Sequence, residues 1–220
     1  MDKTFFFDIL YPLQNDVLQV INLLGTGFYL TGGTATSRGY LHHRFSDDLD
    51  LFVNDSPQFS LWSERIIQAL NQSSQWQCNV LNRDESFIRL VLSQHETQLK
   101  IELINDVPAH IGEIEIHSIL GRLDSKENIL ANKITALVGR EEPKDLADVW
   151  GFCCQLRMPI NDAINNARSK AAGIFPPDLA RVLDSTSYDD WQVIRWIDAP
   201  EANKFISDLK RLAEKLILSG

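Results

Sequence analysis

Asp48 and Asp50, one residue apart at the start of an apolar run, are the side chains of this sequence best placed to do chemistry. They lie near the end of the stretch FYLTGGTATSRGYLHHRFSDDLDLFV, residues 28–53. Side chains alternate along a strand, so Ser46, Asp48, Asp50 and Phe52 share one face while Leu49, Leu51 and Val53 share the other. Two carboxylates held side by side on a half-buried strand are unfavourable without a cation between them, and oxygen ligands at that spacing suit magnesium. Earlier in the same stretch, Gly32 and Gly33 form a tight turn that leads directly into a helix. Unpaired backbone N–H groups at the start of that helix favour phosphate, and Thr34 adds a hydroxyl there. Carboxylate-bound magnesium beside a phosphate cradle points to phosphoryl or nucleotidyl transfer.

The elements that must hold these residues can be read from periodicity. Ile9, Leu10, Leu13, Val17, Leu18, Ile21 and Leu24 recur at spacings near three and four, which predicts an amphipathic helix over residues 8–24 with Pro12 near its start. A strand over 27–31, the glycine turn and a short helix over 34–42 then form one unit, followed by a strand over 48–53 and a helix over about 57–73. Strand-like runs follow at 75–81, 86–93 and 98–104, and a short one at 113–119 reads as an edge strand. After Ser125 the spacing is helical to the end, broken at Pro143, Pro159, the Pro176-Pro177 pair and Pro200. The expected fold class is therefore α+β, a mixed sheet with flanking helices over residues 1–122 and an all-helical part over 123–220.

At 220 residues and 44% hydrophobic content the chain can fill a core of one domain or two small lobes. A net charge of −9 has the wrong sign for holding nucleic acid on a general basic surface, so any such contact must be local. No apolar run approaches the ~20 residues that cross a bilayer, and no basic segment with an apolar stretch opens the chain, which predicts a cytoplasmic protein without membrane association. Three cysteines, two of them adjacent, make a disulfide framework improbable and read as small buried hydrophobes. Trp150, Trp191 and Trp196 could stack on a base, although core packing is the ordinary use of such residues.

The motifs resemble those of a known family. TGGTA followed by HRFSDDLDLF is similar to the nucleotidyltransferase signature of the AbiEii/AbiGii type abortive-infection toxins, members of the DNA polymerase beta-like nucleotidyltransferase superfamily. NKITALVGREEPKDLADVWGF, residues 132–152, continues the resemblance with its lysine, arginine and basic-Asp-x-x-Asp run. The resemblance implies a nucleotidyltransferase-like sheet and a reaction that moves a nucleoside monophosphate from a nucleoside triphosphate to an acceptor, releasing pyrophosphate. It implies that Gly32, Gly33 and Thr34 cradle the triphosphate, that Asp48 and Asp50 ligate two magnesium ions, and that Lys133 contacts the triphosphate. Arg44, Ser46, Arg140 and Lys144 are further candidates for nucleotide contact, and Asp145 and Asp148 belong to the helical block.

A third carboxylate is usual in the superfamily on a later strand. In LKIELI the alternation singles out Glu102 as a third metal ligand, a departure from the aspartate of many relatives, with an ordinary glutamate paired to Lys100 as its competing reading. At 100° per residue, Lys133, Arg140 and Lys144 fall in a narrow arc, with Asp148 further round, if one helical direction persists. Asp145 and Asp148 act either in catalysis or by orienting the basic residues through ion pairs. The resemblance further implies a toxin of a toxin-antitoxin or phage-defence system, with an RNA such as tRNA as acceptor and a cognate antitoxin as partner. Two alternatives stand beside it: a nucleotide-binding interaction module of the same fold with weak or no transfer, and a transferase acting on a small molecule of the antibiotic type.

Overall fold

The computed structural model describes residues 3–218, which divide into two compact units. Among the described residues, one comprises 3–39 and 46–124, the other 40–45 and 125–218.

The first unit is built on a sheet of seven strands among the described residues: β1 (Tyr29–Thr31), β2 (Leu49–Asn54), β3 (Gln77–Arg83), β4 (Phe87–Gln94), β5 (Thr97–Asp106), β6 (Glu115–His117) and β7 (Gly121–Leu123), in the order β3-β4-β5-β2-β1-β7-β6. The central pair β2–β5 is parallel and β1–β2 antiparallel, which makes the sheet mixed. Leu49, Leu51 and Val53 on β2, Ile101 and Leu103 on β5, and Ile88, Leu90 and Leu92 on β4 are all buried, the apolar half of a strict alternation. Two helices of this unit, α1 (Tyr11–Leu23) and α3 (Phe59–Asn71), pack on each other and bury Leu13, Val17, Leu18, Ile66 and Leu70. A π-helical turn, Phe5–Leu10, runs directly into α1, with Pro12 in its first turn where a missing N–H costs nothing. The strand β7 is three residues long, too short to leave a periodic signal, yet it pairs in parallel with β1 through Leu30 and Leu123.

No separate turn joins β1 to the next helix. Gly32 has φ +66° and is itself the first residue of α2 (Gly32–Thr34), which continues as a π-helical segment, Ala35–Leu41. A left-handed φ at that point needs glycine.

The second unit holds α4 (Lys126–Arg140), α5 (Pro143–Trp150), α6 (Ile160–Lys170), α7 (Pro176–Asp184), α8 (Tyr188–Val193) and α9 (Ala202–Leu218). Ser125 caps α4 by accepting from the Asn128 N–H, and Glu141 in a left-handed conformation, φ 49°, ends it. Pro143 then starts α5 in a new direction, so the arc expected for Lys133, Arg140 and Lys144 on one continuous helix does not persist. Trp150 is a core residue, edge-on to Trp196 and Phe205, with its indole N–H donated to Asp208 Oδ2 at 3.1 Å. Burial pushes the adjacent thiols of Cys153 and Cys154 up, to about 12 and about 11. Among the described residues no helix is long and apolar enough to cross a membrane.

Candidate active site

Each unit carries one constellation of the residues singled out above. In the sheet, Asp50 stands opposite Glu102 across the parallel β2–β5 pair and opposite Thr31 across β1–β2. Arg89 of β4 faces Glu102 from the other side. The polar face therefore carries a row running Arg89, Glu102, Asp50, Thr31, and ending at Asp124, whose Oδ2 accepts from the Thr31 hydroxyl at 2.5 Å. Asp48 lies just before β2 on the same face. Gly32 meets this row directly: a Cβ on Gly32 would lie 2.0 Å from Asp50 Oδ2. The glycine that bends the chain into α2 thus also provides the room in which the Asp50 carboxylate sits.

Asp48 is aimed by its backbone. Thr34, fully buried, donates its hydroxyl to the Asp48 carbonyl at 2.5 Å and lies 3.1 Å from the Ser46 hydroxyl. Gln14 of α1, also fully buried, donates to the carbonyls of Asp47 at 2.9 Å and Ser46 at 3.3 Å, and accepts from Arg38 at 2.8 Å. The structure thus puts the Thr34 and Ser46 hydroxyls to work on the loop that carries Asp48. Sequence alone does not single out Gln14, because an interior polar residue on an amphipathic helix leaves no spacing signal; only the carbonyls it meets reveal its use.

Cations of the chain meet two of the carboxylates. Lys100 Nζ is 2.8 Å from Asp48 Oδ2 and 3.5 Å from Glu102 Oε1, and Arg89 reaches the same Glu102 oxygen at 2.8 and 2.9 Å. Partial burial alone would lower the Lys100 ammonium, but the hydrogen bond and charge of Asp48, with Glu102 and Asp50, outweigh it and hold it above the usual lysine value. Among the described residues no three acidic, histidine or cysteine side chains are already gathered around one point for a metal. Asp48 and Asp50 nevertheless offer hard oxygen donors on one face beside a helix start, and magnesium commonly takes one or two carboxylates and completes its shell with substrate phosphates. These residues fit the ion.

In the helical unit, the centre is Asp148 of α5, fully buried. Its two oxygens accept from Arg44 Nε and Nη2, both at 2.7 Å, while Lys133 Nζ lies 2.7 Å from Oδ2 and His43 Nε2 3.0 Å from Oδ1. Lys133 also donates to Asp145 at 2.8 Å, and Arg140 donates to the same buried carboxylate at 2.7 and 2.9 Å. Lys144 turns instead to Glu142 at 2.8 Å. His43 and Arg44 reach Asp148 because their strand-like segment is clamped to Arg195–Ile197, with Phe45 N–H donating to the Arg195 carbonyl and Ile197 N–H to that of His43.

Burial alone would raise the Asp148 carboxyl, but Arg44 and Lys133 override it and hold it well below the ordinary carboxylate range. Burial would likewise lower Lys133, and Asp148 and Asp145 reverse this, keeping the ammonium charged. Burial wins at His43, whose value is lowered despite Asp148, so the ring is neutral and donates from Nε2 while its Nδ1 is buried without a partner. Three permanent cations, Arg44, Lys133 and Arg140, thus face two carboxylates in the interior. A cavity of about 210 Å³ in this unit is lined by Arg44, Lys144 and Arg195 together with Glu142.

Solved structures share this fold. JHP933 from Helicobacter pylori matches with a TM-score of 0.61 at 18% identity, over 94% of this chain and 92% of that one. A second H. pylori structure matches with a TM-score of 0.62 at 18% identity, over 94% and 95%. MenT4, a nucleotidyltransferase toxin of Mycobacterium tuberculosis H37Rv, matches with a TM-score of 0.51 at 16% identity, over 93% of this chain and 83% of that one. No curated protein matches the chain. The profile of the nucleotidyl transferase AbiEii toxins of type IV toxin-antitoxin systems matches residues 17–201, a span containing the carboxylate face, the glycine junction and the buried Asp148 cluster. The chain belongs to the AbiEii nucleotidyltransferase toxin family.

Proposed function

We propose that this toxin moves a nucleoside monophosphate from a nucleoside triphosphate to an RNA acceptor, tRNA being the first to test, with magnesium held by Asp48 and Asp50. The observation that carries this reading is the seat of Asp50, pressed against Gly32 at the start of α2 with Asp48 and Glu102 on the same face. Acidic oxygens stand there beside the backbone N–H groups that open a helix, and these groups favour phosphate. Bound magnesium would offset the charge of the triphosphate and leave the α-phosphorus open to attack.

The chain's own groups have separate tasks in this reading. Gly32 and Gly33 cradle phosphate oxygens with backbone N–H groups. Thr34 and Ser46, with Gln14, fix the loop that aims Asp48. The acceptor oxygen bonds to the α-phosphorus as the bond to the bridging oxygen breaks, pyrophosphate leaves with the bonding pair, and the hydroxyl proton passes to a carboxylate of this face and then to water. Lys133 is assigned to the negative charge that grows on the leaving group, with Arg140 and Lys144 as further cationic contacts. Asp145 and Asp148 act through Lys133, Arg140 and Arg44, because both carboxylates are buried and engaged by those cations. An antitoxin partner and a cytoplasmic site of action accompany the toxin role.

The test is incubation of the purified chain with each α-labelled nucleoside triphosphate, magnesium and total bacterial RNA, with Asp50→Asn alongside. Label entering RNA with the native chain and not the variant supports the reading. Equal labelling by Asp50→Asn removes the metal assignment. Bound nucleotide without transfer to RNA moves the acceptor to a small molecule, or favours a binding module, the reading to which neutralisation of Glu102 by Arg89 and Lys100 lends support.

A further inference from the structure

Arg38, half-buried in the last turn of the π-helical segment Ala35–Leu41, has only neutral partners among the described residues. Its Nη1 donates to Gln14 Oε1 at 2.8 Å and its Nη2 to Asn15 Oδ1 at 2.6 Å, and the guanidinium carbon lies 4.4 Å from the centre of the Tyr11 ring. Burial lowers the guanidinium value, with the Tyr11 phenol acting the other way. A half-buried arginine ordinarily answers a carboxylate. This one directs its donors to two amides, and the use of that arrangement is read from Gln14.

The fully buried Gln14 amide sits between a guanidinium, which only donates, and the Ser46 and Asp47 carbonyls, which only accept. One orientation satisfies both sides, with oxygen toward Arg38 and nitrogen toward the loop. The reversed amide would set donor against donor and oxygen against oxygen. Arginine stays charged throughout the ordinary pH range, so its donors are always present. Arg38 also rides on the segment that opens at Gly32, whose Thr34 hydroxyl meets the Asp48 carbonyl at 2.5 Å. The glycine junction and the carboxylate loop are therefore tied twice, directly through Thr34 and again through Arg38 and Gln14. Tyr11, Gln14 and Asn15 precede the span 17–201 that the family profile matches. We propose that Arg38 is a positioning residue: it fixes the Gln14 amide, and through it the loop 46–48, so that the Asp48 carboxylate is held in register with the phosphate cradle. The effect on catalysis rests on the transfer reading above; the fixing of Gln14 does not.

Two readouts on the full chain test this. One is hydrogen exchange at the Gln14 side-chain amide, followed by NMR with 15N-glutamine and identified by the signal missing from Gln14→Leu. The other is kcat and KM for each α-labelled nucleoside triphosphate with magnesium and total bacterial RNA. Arg38→Met keeps an apolar stem against Tyr11 and removes the donors. In it, exchange at Gln14 is expected to quicken by about 10-fold or more. Its kcat should fall by about 10–100-fold while KM for the triphosphate stays within about twofold, since the cradle at Gly32 and Gly33 is untouched. Arg38→Met/Gln14→Leu should transfer no more slowly than Gln14→Leu, because the two residues act in one line. Native exchange or native kcat in Arg38→Met would overturn the assignment, as would losses that multiply in the double variant. Should Arg38→Met not fold, Asn15→Ala removes one anchor of the guanidinium at a half-buried position and should quicken exchange at Gln14 by about threefold or more; unchanged exchange there would overturn it. If the native chain labels no RNA, the transfer reading fails by itself, and exchange at Gln14 decides whether Arg38 fixes the amide.

Discussion

Asp148 provides the sharpest prediction, because the structure fixes what its removal leaves behind. In Asp148→Ala, the Arg44 guanidinium, 4% exposed, loses both of its 2.7 Å partners on the carboxylate, and His43 loses the acceptor for Nε2. Lys133 keeps Asp145 at 2.8 Å and Arg44 keeps the neutral Phe45 carbonyl at 3.0 Å, so the carboxylate charge is lost to one buried cation rather than two. Breaking a buried pair by removing one partner costs about 3–5 kcal/mol, most of it the uncompensated charge. Replacing both partners with apolar groups of similar volume costs much less, so Arg44→Met/Asp148→Leu is expected to recover at least ~2 kcal/mol relative to Asp148→Ala. Urea unfolding followed by tryptophan fluorescence reads this, since Trp150 sits in the core of the same helical unit. An Asp148→Ala protein within about 1 kcal/mol of the native chain would refute the argument. So would a double variant as unstable as the sum of its single changes, because additivity would mean the two groups do not interact.

Three further outcomes are expected. Gly32→Ala places a methyl 2.0 Å from Asp50 Oδ2 at φ +66°, so transfer should fall by about 100-fold from displacement of the carboxylate, and kinetics at native-like activity would show that the seat is not needed. Gln14→Leu strands the carbonyls of Ser46 and Asp47 and should cost about 1–3 kcal/mol in urea unfolding, and Gln14→Glu should be worse, since a carboxylate would face two carbonyl oxygens. His43 has a lowered value in the folded chain, so the unfolded chain binds its proton first and stability should fall as pH drops below about 6.5. Unfolding measured between pH 5 and 8 should lose part of that slope in His43→Gln; an unchanged slope would show that His43 is not its source.

Much of the architecture is legible in the sequence. Strict alternation in LDLFV and LKIELI reports which half of each strand is apolar, and burial of Leu49, Leu51, Ile101 and Leu103 follows from it. The helical spacing after Ser125, the mixed sheet before it and the membership of a nucleotidyltransferase toxin family were likewise readable, because local periodicity and motif order are properties of the chain itself. Alternation also places Asp48, Asp50 and Glu102 on one kind of face within their own strands.

What alternation cannot state is which strands are neighbours, since pairing is set by contacts far apart in sequence. Only the β2–β5 and β4–β5 registers put Asp50, Glu102 and Arg89 in one row and bring Lys100 to Asp48. The same holds for the clamp of Gln14 on the Asp48 loop, 33 residues away, and for Arg44 and Asp148, which are 104 residues apart. The segment Tyr40–Phe45 lies inside the glycine-carboxylate block of the sequence yet packs with the helical unit, where His43 and Arg44 find their partner. Residue types and local spacing determined which groups could carry charge and which faces they share; the tertiary structure decided which charge answers which, because a buried ion must be met by whatever the fold places within ~3 Å of it.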